Sequence, residues 1–190
     1  SYELSPEDQQ KQAYQEAMKA KEERSRVQRL QVYDQKGEAL FRDIMNLDEY
    51  YLTKSELQIL TNQGEKIAKL IPQQALDIIE LGAGDGIKTK ELLKHFEHPS
   101  NVFIPIDISA DAVRDITQKM STWIPNLTTK GVCGDYFQML NDLKGDRNKL
   151  ILFLGSNLGN MLDEQAKKFM ETLGNSMNTG DQLLLGLDLI

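Results

Sequence analysis

The chain has 190 residues, 40% of them hydrophobic and 27% charged, which fits one folded globular domain and excludes a disordered chain. A net charge of −7 argues against a protein that grips phosphate backbones, because that affinity comes from clustered Lys and Arg. No apolar run reaches the roughly 18–20 residues that span a bilayer, the N-terminus lacks a basic head with an apolar core, and the single cysteine, Cys133, can form no internal disulfide, so a cytoplasmic protein with no membrane and no nucleic-acid partner is expected.

In chain order, residues 6–31 are rich in Gln, Glu, Lys and Ala, all good helix formers. Their apolar stripe is thin (Tyr14, Met18, Val27, Leu30), which predicts a solvated or loosely docked helix. A second helical piece covers residues 37–45. In "YYLTKSELQIL", Thr53 and Glu56 form the T-x-x-E pattern of a capping box. Leu57, Leu60, Ile67 and Ile71 then recur at helical spacing until Pro72 stops the helix. Residues 1–72 therefore read as a helical N-terminal region.

From Leu76 the texture changes to short apolar runs: "LDIIEL", "NVFIPID", "LTTKGV", "KLILFLG" and "DQLLLGLDLI". Between them lie amphipathic segments carrying Leu92, Leu93 and Phe96, then Val113, Ile116, Met120 and Trp123, then Ala166, Phe169 and Leu173. Alternation of this kind predicts an α/β domain over residues 73–190, a Rossmann-like parallel sheet with helices on both faces. Such sheets bind ligands at the carboxyl ends of their strands.

The first run leads into Gly82, Gly84 and Gly86. Glycines there allow a sharp turn and a close backbone approach to a ligand. A dinucleotide fold expects G-x-G-x-x-G, whereas this loop reads G-x-G-x-G with Glu80 two residues ahead. An acid in that position would repel a pyrophosphate and suit a cation such as the sulfonium or amine of S-adenosylmethionine; a tight turn with no ligand is the plainer alternative. The second run ends at Asp107, 25 residues beyond Gly82, close to where a ribose-binding acid is expected. It would otherwise cap the next helix, a role for which Ser109 is better placed. The third run leads to Asp135, Tyr136 and Phe137. Asp135 either accepts from an adenine amino group, with Tyr136 or Phe137 packed on the ring, or is an ordinary turn aspartate. Three acids at strand ends on one edge of a parallel sheet are the arrangement of a class I S-adenosylmethionine methyltransferase. A nicotinamide enzyme would need its third glycine one residue later.

The segments "YYLTKSELQIL", "ELGAGDGIKTKELL", "IPIDIS", "GDYF", "LFLGSNLGNM" and "GDQLLLGLDLI" together carry a more specific likeness, running from about Val32 to the last residue. The chain resembles the histidine-specific S-adenosylmethionine methyltransferases of the ergothioneine pathway, which methylate the α-amine of histidine. Fungal relatives of that family include an N-methyltransferase acting on a prenylated tryptophan. The resemblance implies S-adenosylmethionine as cofactor, held by Gly82, Lys88, Asp107 and Asp135, with Lys88 on the methionyl carboxylate. It implies that Tyr33, Tyr50 and Asn160 face the pocket of a small amino-acid-like acceptor. Taken alone, Lys88 reads as an exposed first-turn lysine, Tyr50 as a helix-entry aromatic and Asn160 as a turn residue. No metal is expected: His95 and His98 sit in a Pro/Ser loop with no ligand pattern around them.

Two departures accompany the likeness. The family's tryptophan-bearing segment near the first tyrosine is here "LQVYDQKG". Methyltransferases of this class normally add two further strands, and in this family a C-terminal portion completes the acceptor pocket; a chain stopping at Ile190 is expected to lack both. That ending predicts either a piece of a longer protein or an edge, Leu183 to Ile190, that pairs with a second copy or another chain. It also leaves open a cofactor-binding or interaction module without catalysis.

Overall fold

The computed structural model describes residues 51–72, 74–140 and 145–188, with the backbone alone at Asn160. The helices expected at 6–31 and 37–45, together with Tyr33 and Tyr50, lie outside the described residues.

Helix α1 (Tyr51–Leu70) buries Leu60, Gly64 and Ala68 along one stripe at a spacing of four. A Cβ on Gly64 would stand 3.0 Å from the Glu91 carbonyl oxygen and 3.2 Å from the His95 ring, so its absence lets α1 settle on the next helix, α2 (Ile87–Leu93). The capping box is not formed. Thr53 lies inside α1, and the Glu56 carboxylate bonds far from its own helix.

Among the described residues six strands follow: β1 (Leu76–Leu81), β2 (Val102–Asp107), β3 (Thr128–Thr129), β4 (Val132–Cys133), β5 (Asn148–Phe153) and β6 (Gln182–Leu185). All pairings are parallel, in the order β3-β2-β1-β5-β6, with β4 also on β2. Ile78 stands opposite both Phe103 and Leu150, which centres β1 in the sheet. The chain winds outward from β1 through β2, then crosses to β5 on the other side. The order therefore reverses between β1 and β5, the switch point where α/β sheets open a ligand crevice.

The run "LTTKGV" divides into two short strands instead of one. A Cβ on Gly131 would stand 2.5 Å from both Val113 Cγ1 and Thr117 Oγ1, so the chain there presses on helix α3 (Ala110–Trp123) and leaves the ladder. The last run is also shorter than expected. β6 stops at Leu185; Gly186 still donates to the Phe153 carbonyl at 2.9 Å, and Leu187 and Asp188 are irregular. Tyr51 donates its hydroxyl to Asp188 Oδ2 at 2.7 Å, which ties this tail to the start of α1. The edge strand expected over 183–190 is thus four residues long, and residues 189–190 lie outside the described region.

Side chains alternate across the sheet, as strand geometry requires. Leu76, Ile78, Leu150 and Leu152 face a core shared with Leu60 and Ala68 of α1, Leu92 and Leu93 of α2, and Ile116 and Met120 of α3. Ile79, Leu81, Ile151 and Phe153 face a second core with Leu140, Met161, and Phe169 and Leu173 of α5 (Asp163–Ser176). By the same period of two, Glu80 joins the first of these faces.

Candidate functional site

The glycine loop turns between β1 and α2 with Gly82, Gly84 and Gly86 all left-handed, at φ of 72°, 55° and 70°. L-residues pay for that conformation and glycine does not. The three positions then differ in surroundings. A Cβ on Gly86 would come within 2.7 Å of Ile116 Cδ1, so this glycine packs the loop onto α3. A Cβ on Gly84 would meet nothing within 4 Å, so the loop is open on that side. A Cβ on Gly82 would point at Tyr136 Cε1, 3.6 Å away, and Asn157 Nδ2, 3.9 Å away.

Asp107 ends β2 beside this loop. Its Oδ2 accepts from Gly84 N at 3.1 Å and its Oδ1 from Ser109 N at 3.0 Å. Ser109, not Asp107, caps α3, accepting from Ala112 N at 3.2 Å. A carboxylate offers about four lone-pair directions, so two bonds leave Asp107 room to accept from a vicinal diol. Asp135 caps the short helix α4 (Tyr136–Met139), accepting from Phe137 N at 2.9 Å on Oδ1. Tyr136 stacks on Phe137 at 4.8 Å between centroids and meets Phe153 and Phe169 edge-on. The aromatic cluster therefore holds Tyr136 as a wall facing Gly82.

Glu80 requires a correction. It was expected to offer its charge to a cationic ligand, but it is buried behind the loop, where its Oε1 accepts from Thr89 Oγ1 of α2. Burial pushes its carboxyl up to about 8, against the opposing pull of the Thr89 bond and the nearby Lys88 ammonium. A carboxyl with that value is mostly protonated at neutral pH. Its Oε2 is buried with no hydrogen-bond partner. Glu80 thus lies buried beneath the loop instead of standing exposed on its open side.

Lys88 stands at the start of α2 with its ammonium paired to Glu56 of α1, both side chains mostly buried. Glu56 therefore serves distant partners and not the local cap that its T-x-x-E spacing predicts. Glu56 also accepts from Gly155 N with both oxygens, at 2.8 and 3.0 Å. That amide opens the turn after β5, where Gly155 (φ 80°) and Ser156 (φ 54°) are both left-handed. A serine held there is strained, and such residues cluster at ligand sites. The turn leads into a 3-10 helix, Asn157–Asn160. Asn157 donates its amide to the Leu154 carbonyl at 2.9 Å and faces Gly82. It was overlooked, although "GSN" after a buried run at a strand end was a legible signal. Asn160 ends the same 3-10 helix, and its side chain lies outside what is described.

One crevice at the carboxyl ends of β1, β2, β4 and β5 therefore gathers the glycine loop, Asp107, Asp135, Tyr136, Asn157 and Lys88. Its donor set suits a ligand with a diol, an aromatic base and an amino-acid end. S-adenosylmethionine has those three parts, and the open side of Gly84 leaves room along the loop. Among the described residues no group of three or more His, Cys, Asp or Glu could hold a metal ion. No helix among them is long and apolar enough to cross a membrane.

Comparison with known proteins places this geometry. Residues 11–190 match the family described as histidine-specific, S-adenosylmethionine-dependent methyltransferases. A histidine N-alpha-methyltransferase of Mycolicibacterium smegmatis is 35% identical over 161 residues, covering 83% of this chain and 49% of that protein. Ergothioneine biosynthesis protein 1 of Schizosaccharomyces pombe is 34% identical over 168 residues, covering 83% of this chain and 22% of its own length. The chain thus spans about half the length of the histidine methyltransferase, and less of the fungal protein. Among solved structures, the magnesium protoporphyrin IX methyltransferase of Synechocystis, with bound SAH, superposes with a TM-score of 0.56 at 16% identity, covering 77% of this chain and 65% of that one. The plantazolicin methyltransferase BpumL does so with a TM-score of 0.55 at 17% identity, covering 86% and 58%. These two share the fold, a parallel Rossmann-like sheet with helices on both faces. With sheet order, glycine loop and family match in agreement, the chain belongs to the histidine-specific, S-adenosylmethionine-dependent methyltransferases.

Proposed function

We propose that the protein transfers a methyl group from S-adenosylmethionine to the α-amine of histidine. The observation that carries this reading is the crevice at the switch point, where Asp107 is locked to the open glycine loop and Tyr136 and Asn157 face it across Gly82. S-adenosylmethionine, when bound, supplies an electrophilic methyl on its sulfonium.

The chain's own residues bind and orient. Asp107, held by two amides, accepts from the ribose hydroxyls, and Asp135 accepts from the adenine amino group with its remaining oxygen. Tyr136 packs on the base. Lys88 reaches the methionyl carboxylate as a compact point charge. Tyr50 and Asn160, with Tyr33, offer neutral hydrogen-bonding groups to the acceptor, which keeps its amine unprotonated for attack. Proximity and exclusion of water then supply most of the rate. The lone cysteine fits a cytosolic setting.

Calorimetry with S-adenosylmethionine, S-adenosylhomocysteine and NAD tests the cofactor. Binding of the first two and not the third is expected. Incubation with labelled S-adenosylmethionine and a panel of amino acids then tests the acceptor, with label expected on histidine. Absence of transfer to any amine would overturn the enzymatic reading.

A further inference from the structure

We propose that Glu56 is a positioning residue that couples the cofactor side of the crevice to the acceptor side. The inference rests on the proposed roles of Lys88 and of the turn after β5. Glu56 comes from α1, outside the sheet, yet its carboxylate reaches the crevice and holds two elements at once. One contact is the ion pair with the Lys88 ammonium on α2. The other is the two-oxygen bond to Gly155 N, across 99 positions of sequence.

The arrangement is built to place that carboxylate. Gly186, just past β6, lies so close to Glu56 Oε1 that a Cβ there would collide with it. The Gly155 α-carbon is close to Lys88 as well: a Cβ on it would stand 3.5 Å from Lys88 Nζ and 3.6 Å from Asn157 Nδ2. The ammonium, the strained turn and the carboxylate therefore form one compact group. Neutralising Lys88 is not the whole of its task, because a bond to a backbone amide fixes chain geometry where a bond to a side chain alone does not. Charge-assisted bonds to buried groups are also the stronger ones. Through Lys88, Glu56 sets where the methionyl carboxylate lands. Through Gly155 it sets the left-handed turn that carries Asn157 and leads to Asn160.

The two arms are separable by substitution. Glu56→Gln keeps a carbonyl oxygen for Gly155 N and loses the charge facing Lys88, whereas Glu56→Ala loses both. On the full chain, S-adenosylhomocysteine affinity is measured by calorimetry for wild type, Glu56→Gln, Lys88→Met and the double variant. Glu56→Gln is expected to weaken binding about tenfold alone and less than about twofold in the Lys88→Met background, the non-additivity of contacting groups. In steady-state assays Glu56→Gln is expected to leave the acceptor KM near wild type, and Glu56→Ala to raise it about tenfold. A purely structural role would lower the melting temperature and move both affinities alike in both variants. Equal effects of Glu56→Gln in both Lys88 backgrounds, or unchanged or tighter binding, would overturn the proposal. Should Glu56→Ala fail to fold, the Glu56→Gln cycle alone decides. Wild-type binding of S-adenosylhomocysteine separates failure of this inference from failure of the functional reading.

Discussion

The carboxylate of Asp107 closes the glycine loop onto the neighbouring strand by accepting the amide of Gly84 at 3.1 Å. Its other oxygen holds Ser109 N, so one side chain shapes both the loop and the entry to α3. Asp107→Asn keeps one acceptor oxygen and Asp107→Ala keeps none. Affinity for S-adenosylhomocysteine is expected to fall about tenfold in the first and about a hundredfold in the second, as charged hydrogen bonds are lost. Calorimetry on the folded variants reads both.

The glycines of the loop predict unequal losses. Gly86→Ala puts a methyl 2.7 Å from Ile116 Cδ1 and 3.0 Å from Met120 Cε at a φ of 70°. Overpacking and left-handed strain together are expected to cost about 2–4 kcal/mol. Gly84→Ala meets nothing within 4 Å, so only the strain remains, about 1–2 kcal/mol. Urea denaturation distinguishes them. Gly84→Ala should also weaken the cofactor out of proportion to its stability loss, because its methyl stands on the open side of the loop.

Glu80 predicts an unusual pH dependence of stability. Its carboxyl rises from 4.5 to about 8 in the fold, so between those values the folded chain holds a proton that the unfolded chain has released. Stability from this group is full below its unfolded value and declines as pH rises toward 8. Burial is the largest cause; the Thr89 bond and the Lys88 ammonium oppose it, while the Glu56 and Asp85 carboxylates add to it. Glu80→Gln removes the titration. The stability of wild type relative to this variant should fall with rising pH across that window, by at most about 1.4 kcal/mol per unit. Parallel curves would mean that Glu80 is charged in the fold.

Lys149 and Asp181 form a buried ion pair at 3.0 Å, their side chains only 2% and 0% exposed. Lys149 lies near the start of β5, at the opposite end from Gly155. Burial alone would raise Asp181, but bonds from Asn178 N and from the ammonium and amide of Lys149 lower it overall. Its stabilisation is present above the ordinary carboxylate value and is lost as pH falls through the lowered one. Asp181→Ala strands a buried ammonium and is expected to cost about 3–5 kcal/mol in denaturation. The folded variant should still bind S-adenosylhomocysteine as wild type does, since the pair touches no crevice residue.

Much of this molecule was readable along the chain because its signals are local. "LDIIEL" is β1 with its expected bounds, Ser109 caps α3, and the Gly82–Gly84–Gly86 spacing forms the turn its residues require. The strands past "LTT" and past Leu185 were over-extended, since apolar content alone does not reveal a glycine pressed on a helix or a chain leaving its ladder. Glu80 was placed on the wrong side of the loop. Its identity pointed to a charge for a ligand, while the alternation of β1 turned it into the core. Glu56 was lost for the opposite reason: a good local pattern concealed a partner 99 residues away.

The sequence by itself determined the parallel α/β class, the glycine loop, the strand-end acids and the family, because hydrophobic period, turn chemistry and motif spacing act between near neighbours. Only the tertiary structure decided that Glu80 is buried beneath the loop against Thr89, that Asp107 is tied to Gly84, and that Glu56 joins Lys88 to Gly155. Those outcomes depend on which faces are desolvated and which distant groups meet, and the energy of a buried carboxyl is set by that surrounding and not by its place in the chain.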